Sequence, residues 1–145
     1  VGKARIGVAR CDPDGLLATP VETVPRGDGD IERIRAIAEE YDALELVVGL
    51  PMSLSGGSTP STDDAREFAA RLASADSREV RLVDERLSTV TAHAAMRASG
   101  RSTRQSRSVI DQAAAVVILQ HALDSERSSG RAPGTLVAPD EGFPR

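Results

Sequence analysis

The chain has 145 residues, 40% hydrophobic and 28% charged, the make-up of one ordinary globular domain, which excludes wholesale disorder. A net charge of −4 argues against attraction to nucleic acid over the whole surface, and Tyr41, Phe68 and Phe143 are too few aromatics for a base-stacking platform. One cysteine, Cys11, excludes internal disulfides and cysteine metal clusters, and no apolar run reaches membrane-spanning length, so a cytoplasmic protein without a membrane partner is expected.

Arg5 to Arg10 reads as a strand, and Asp12-Pro13-Asp14-Gly15 is a turn signal. Leu16 to Val24 resumes strand character. Pro20 has no N–H to give a ladder, so this second strand belongs at a sheet edge, in an antiparallel hairpin with the first. Asp30 is placed to cap a helix whose apolar positions are Ile31, Ile34, Ile37 and Ala38. Leu44 to Leu50 is a short apolar run stopped by Pro51 and reads as a buried parallel strand. Met52 to Thr62 is a loop rich in Ser and Gly, read either as surface loop or as a flap beside a site.

Thr62 or Asp63 is expected to cap a helix carrying Ala65, Phe68, Ala69 and Leu72. Val80 to Val83 is another short strand, running into Asp84-Glu85-Arg86. Ser88 or Thr89 opens a helix that Gly100 ends, Arg101 to Ser108 reads as a polar basic linker, and Val109 to Leu123 is the strongest helix. From Ser128 onward Ser, Gly and Pro dominate, which predicts a flexible tail over 128–145 after a folded domain over 1–127. A hairpin followed by alternating helix and strand predicts an α/β domain with a mixed sheet flanked by helices.

Open α/β sheets place their sites at the carboxyl ends of strands. Asp84-Glu85-Arg86 lies at such an end. It reads either as local ion pairing and helix-dipole compensation or as a functional acidic cluster. Asp111 sits among Val109, Ile110, Ala113 and Ala114, where a carboxylate is costly unless it is paired, metal-bound or turned to water at the helix start. A strand-end carboxylate and one on a late helix can converge on a divalent cation, and oxygen ligands suit Mg²⁺ or Mn²⁺. Two such ions would clamp a phosphodiester. Arg97, Arg101, Arg104 and Arg107 fall in an acid-free stretch interleaved with Ser and Thr. That stretch is either a solvated linker or a phosphate-binding one. His93 and His121 are isolated and read as surface residues.

Four segments in order carry a resemblance. They are Val1-Gly2-Lys3-Ala4-Arg5-Ile6-Gly7-Val8-Ala9 with Asp12-Pro13; Val47-Val48-Gly49-Leu50-Pro51; Asp84-Glu85-Arg86-Leu87-Ser88-Thr89; and Ile110-Asp111-Gln112-Ala113-Ala114-Ala115 with Ile118-Leu119-Gln120. Over roughly residues 1–123 the chain resembles the YqgF or RuvX family of pre-16S rRNA nucleases, also described as Holliday junction resolvase-like. The resemblance implies an RNase H-like fold with a five-stranded mixed sheet. It also implies a metal-dependent nuclease acting in 5′-end maturation of pre-16S rRNA in the cytoplasm, as monomer or homodimer.

Carried over by position, Glu85 and Asp111 are the expected catalytic and metal-binding acids, with Asp84 a third catalytic candidate. Arg86 would orient a carboxylate or contact phosphate, and Arg101, Arg104, Arg107 and Lys3 are expected to contact substrate. The family has an aspartate on its first strand, which here would fall immediately before Val1. The expectation is therefore a truncated first strand and weak metal-dependent activity of the chain as written. A junction-resolving DNA endonuclease and a non-catalytic module that binds nucleic acid or the ribosome are the competing expectations.

Overall fold

The computed structural model describes residues 1–2, 4–51, 57–84 and 103–138, with side chains from 110 onward in the last segment. The described elements are β1 (Arg5–Cys11), β2 (Ala18–Pro25), α1 (Asp30–Glu40), β3 (Glu45–Leu50), α2 (Pro60–Ala75), β4 (Glu79–Asp84), α3 (Thr103–Ser129) and β5 (Thr135–Leu136). The expected helix from Ser88 or Thr89 to Gly100 lies outside the described residues.

β1 and β2 form the expected antiparallel hairpin, with Arg5 opposite Pro25 and a register shift between Val8 and Ala9. Its turn is built by Asp12, whose Oδ1 accepts from the N–H groups of Leu16 at 2.6 Å and Leu17 at 3.1 Å. Those two bonds hold the Asp12 carboxyl below its usual range. Among the described residues β2 has only β1 as a neighbour, so Pro20 does sit in an edge strand. β3 runs parallel to β4, in register from Glu45 opposite Glu79 to Leu50 opposite Asp84.

The five described strands do not make the expected single sheet. They fall into a two-stranded sheet, β1–β2, and a three-stranded one, β3–β4–β5. No ladder joins β1 to β3 among the described residues; side-chain packing connects the sheets instead. Ile6 and Val24 from the hairpin share one buried cluster with Ile34, Val48, Phe68 and Val80. The mixed character holds, since β3–β4 is parallel while β1–β2 and β4–β5 are antiparallel.

The helices bury the positions that the 3.6-residue period picks out: Ile34, Ile37 and Ala38 on α1, and Ala65, Phe68, Ala69 and Leu72 on α2. Their starts differ from expectation. Asp30 is the first residue of α1, not its cap, and Gly29 holds the cap position. α2 starts earlier than expected, at Pro60. The Thr59 hydroxyl accepts from Thr62 N–H at 3.2 Å while the Thr62 hydroxyl accepts from Thr59 N–H at 2.9 Å, a reciprocal capping box with proline at the first helical position.

Asp76 closes α2, buried between Arg78 and Arg35. Burial opposes its ionisation, but the Arg78 N–H and guanidinium, with the charges of Arg78 and Arg35, outweigh burial and hold the carboxyl below its usual range. A depressed carboxylate contributes stability that is complete above its unfolded pKa of about 3.9 and is lost as pH falls through the lower folded value. Asp76→Asn should cost about 2 kcal/mol near neutral pH and flatten the acid limb of the stability profile. Urea unfolding of both proteins at neutral and acidic pH measures this.

α3 is longer than expected at both ends. It takes in most of the stretch read as a basic linker and continues to Ser129. Gln120 pins it to the hairpin, accepting from Ala18 N–H at 2.9 Å and donating to the Leu16 carbonyl at 2.9 Å. The segment read as the start of a flexible tail holds β5, where Leu136 pairs with Arg81 and Val137 N–H donates to the Val80 carbonyl at 2.8 Å. Gly134 makes that approach possible: its φ is +67°, and a Cβ there would overlap the Leu82 carbonyl. No helix among the described residues is long and apolar enough to cross a membrane.

Candidate functional site

α3 lies directly on β1. The contact point is Gly7, where a Cβ would overlap the carbonyl of Asp111 and stand 3.0 Å from the Gln112 nitrogen. With nothing between the two backbones, Arg5 reaches up from β1, and its Nε donates to Asp111 Oδ2 at 2.6 Å. Both side chains are part-exposed, Arg5 at 40% and Asp111 at 25%. One turn of contact is completed by Gln112, whose Nε2 donates to the Thr23 hydroxyl at 3.1 Å. Asp111 is therefore neither buried without a partner nor a bare helix-start charge; it is a half-buried carboxylate fixed by one guanidinium.

Asp84 is the last residue of β4 and is exposed at the strand's carboxyl end. It lines a cavity of about 480 Å³ together with Leu50 at the end of β3, Arg66 on α2, and His121 and Ser125 on α3. Asp111 is not on that lining. It precedes Ile118, which is, by seven residues, or about 10 Å along the helix. Asp84 thus lines the cavity, and Asp111 lies about two turns nearer the start of α3, on the face that carries Ile118. Glu85, Arg86, Arg101 and Lys3 lie outside the described residues, as does His93. Arg104 and Arg107 fall within α3 rather than in a linker.

Sequence reasoning passed over three residues here. Arg5 was read only as the polar end of a strand, and its partner is 106 positions away. Arg66 was not singled out, and His121, read as a lone surface histidine, joins it on the cavity wall. An exposed Arg or His carries no periodic signal that separates a cavity rim from open solvent.

The donor set for a cation is incomplete among the described residues. No three His, Cys, Asp or Glu come together there in a way that would hold a metal ion. Asp111 is already engaged by Arg5. The described side chains alone do not fit Mg²⁺ or Mn²⁺, both of which need several oxygen ligands. Thiol chemistry is disfavoured too, because burial and the adjacent Asp12 push the Cys11 thiol up.

The described residues form a mixed α/β domain with a helix-borne carboxylate clamped to its hairpin and an acidic strand end opening on a cavity with aliphatic and polar lining. The sequence model of the RuvX family, described as a Holliday junction resolvase, matches residues 1–125. The chain belongs to that family. It is 65% identical over 140 residues to a protein of Clavibacter michiganensis subsp. michiganensis, covering 94% of this chain and 87% of that one. A protein of a Nocardioides species is 59% identical over 142 residues, covering 94% and 91%. One of Thermobifida fusca is 54% identical over 151 residues, covering 99% and 93%. Each of the three bears the name "Putative pre-16S rRNA nuclease".

Proposed function

We propose that this chain is a nuclease with an RNase H-like fold that hydrolyses phosphodiester bonds of pre-16S rRNA in the cytoplasm. The observation that carries this reading is near end-to-end similarity, at 54–65% identity, to relatives bearing that name. The geometry supports it at Asp111. A carboxylate held in one orientation can receive the proton of an attacking water. The Arg5 bond fixes Asp111 in that way. Glu85, which follows Asp84 in sequence, is the second acid of this proposal. Arg86, Arg101, Arg104, Arg107 and Lys3 are proposed to contact substrate phosphates.

A requirement for Mg²⁺ or Mn²⁺ is a separate part of the proposal. It depends on Glu85 supplying what the described residues lack. A second reading, a junction-resolving DNA endonuclease, is favoured by the description of the matching family.

Cleavage of precursor 16S rRNA and of a four-way DNA junction, each with Mg²⁺, with Mn²⁺ and with chelator, tests these statements together. The expected result is metal-dependent cleavage of the rRNA precursor about tenfold or more faster than of the junction. Faster cutting of the junction establishes the second reading instead. Cleavage that survives chelation removes the metal requirement. Tight binding of the precursor with no cleavage makes the chain a binding module.

A further inference from the structure

The geometry points to the cavity beside Asp84 as a subsite for one unpaired nucleotide of the substrate, with its phosphate on Arg66 and His121. This rests on the nuclease reading and extends it to the class of nucleic acid accepted. The size is right: about 480 Å³ lies within the range of small-molecule sites and holds a single nucleotide. The chemistry is divided as a nucleotide is divided. The floor is aliphatic, made by the buried side chains of Leu50, Leu82, Ile118 and Ala122. The exposed rim carries Arg66 from α2, His121 and Ser125 one turn apart on α3, Thr135 of β5, and the carboxylate of Asp84, which leaves the Arg66 and His121 side as the place for a phosphate.

A guanidinium fork matches phosphate oxygens, and imidazole and hydroxyl groups add donors. Among the described residues no Phe, Tyr or Trp lines the cavity, so a base would be held mainly by burial against aliphatic side chains, with the His121 ring as its one stacking partner on the described lining. The floor side chains offer no donors or acceptors, so the base edge is not read at the floor, and the subsite is expected to tolerate different bases.

A base inside this cavity has left its helical stack. Extrusion from a duplex costs a few kcal/mol, and least where the nucleotide is already single-stranded. The subsite therefore selects nucleic acid with an unpaired nucleotide next to the strand end that carries Asp84. A continuous duplex meets the same cavity at a disadvantage.

The test titrates AMP and UMP into the protein and into the Arg66→Ala and Ser125→Trp variants, with thermal melts to confirm folding. Ser125 is exposed, so its replacement by Trp blocks the cavity from the rim without disturbing the core. Both nucleotides should bind the parent protein with similar affinity. Each variant should weaken both by about tenfold or more, as loss of a charge-assisted phosphate contact or of the cavity itself requires. Adenosine without its phosphate should bind the parent protein more weakly than AMP.

Absence of AMP binding, or undiminished binding by folded Ser125→Trp, overturns the subsite. Adenosine binding as tightly as AMP overturns the phosphate role of Arg66. Normal precursor cleavage without AMP binding defeats the subsite alone. AMP binding that is sensitive to Ser125→Trp, in a protein that cuts nothing, defeats the nuclease reading alone.

Discussion

Asp111→Asn should lower precursor cleavage by about 100-fold or more while leaving the fold intact, the loss typical of removing a positioned proton acceptor. Asparagine keeps the size of the side chain and can still accept a bond from Arg5, so α3 should stay seated on β1. What it loses is the negative charge and the basicity. The control is Arg5→Ala, which breaks the same ion pair from the other side. Because both partners are part-exposed, the pair contributes at most about 1 kcal/mol, and the two variants should be similarly stable. Their activities should separate: Arg5→Ala frees Asp111 to wander and lowers the rate, but less than Asp111→Asn. Single-turnover cleavage with matched thermal melts measures both. Equal cleavage by Asp111→Asn and the parent protein removes Asp111 from the chemistry and leaves it a clamp between α3 and the hairpin.

That comparison concerns a pair only half visible in the sequence. Asp111 stood out because a carboxylate among Ile110, Ala113 and Ala114 demands an explanation. Arg5 did not, because an arginine at a strand end is unremarkable until the chain folds. The same division runs through the fold. Burial on one face has a period, so the core positions of α1 and α2 and the edge placement of Pro20 were all legible. Contacts without a period were not.

β5 is two residues long, and only its pairing with β4 makes it a strand. The stretch from Arg101 to Ser108 looked like a linker because it lacks apolar residues. Yet Arg and Gln are good helix formers, and a helix already nucleated beyond Val109 extends back through them to Thr103 at little cost. The α2 start is readable in the sequence: Pro60 at the first helical position points to Thr59 as cap, one turn before Thr62 and Asp63.

Gly7→Ala should destabilise the protein by about 3 kcal/mol, the upper part of the range for overpacking. Gly7 is in a strand, where alanine is ordinarily harmless or helpful to the backbone. The penalty comes entirely from the neighbour. The added Cβ would overlap the Asp111 carbonyl, and that atom is helix backbone, which cannot rotate away as a side chain can. Either α3 lifts from β1 or the strand bends beneath it. Lifting also draws Asp111 away from Arg5 and strains the bond from Gln112 to Thr23.

The substitution should therefore lower the melting temperature by roughly 3 °C for each kcal/mol lost. It should also reduce cleavage even at temperatures where the protein stays folded. Gly134→Ala is the matching control: its Cβ would overlap the Leu82 carbonyl in the β4–β5 pairing, away from Asp111, so it should destabilise without displacing the ion pair. If Gly7→Ala melts like the parent protein, α3 does not rest on β1 at this point, and the clamp on Asp111 must be built in another way.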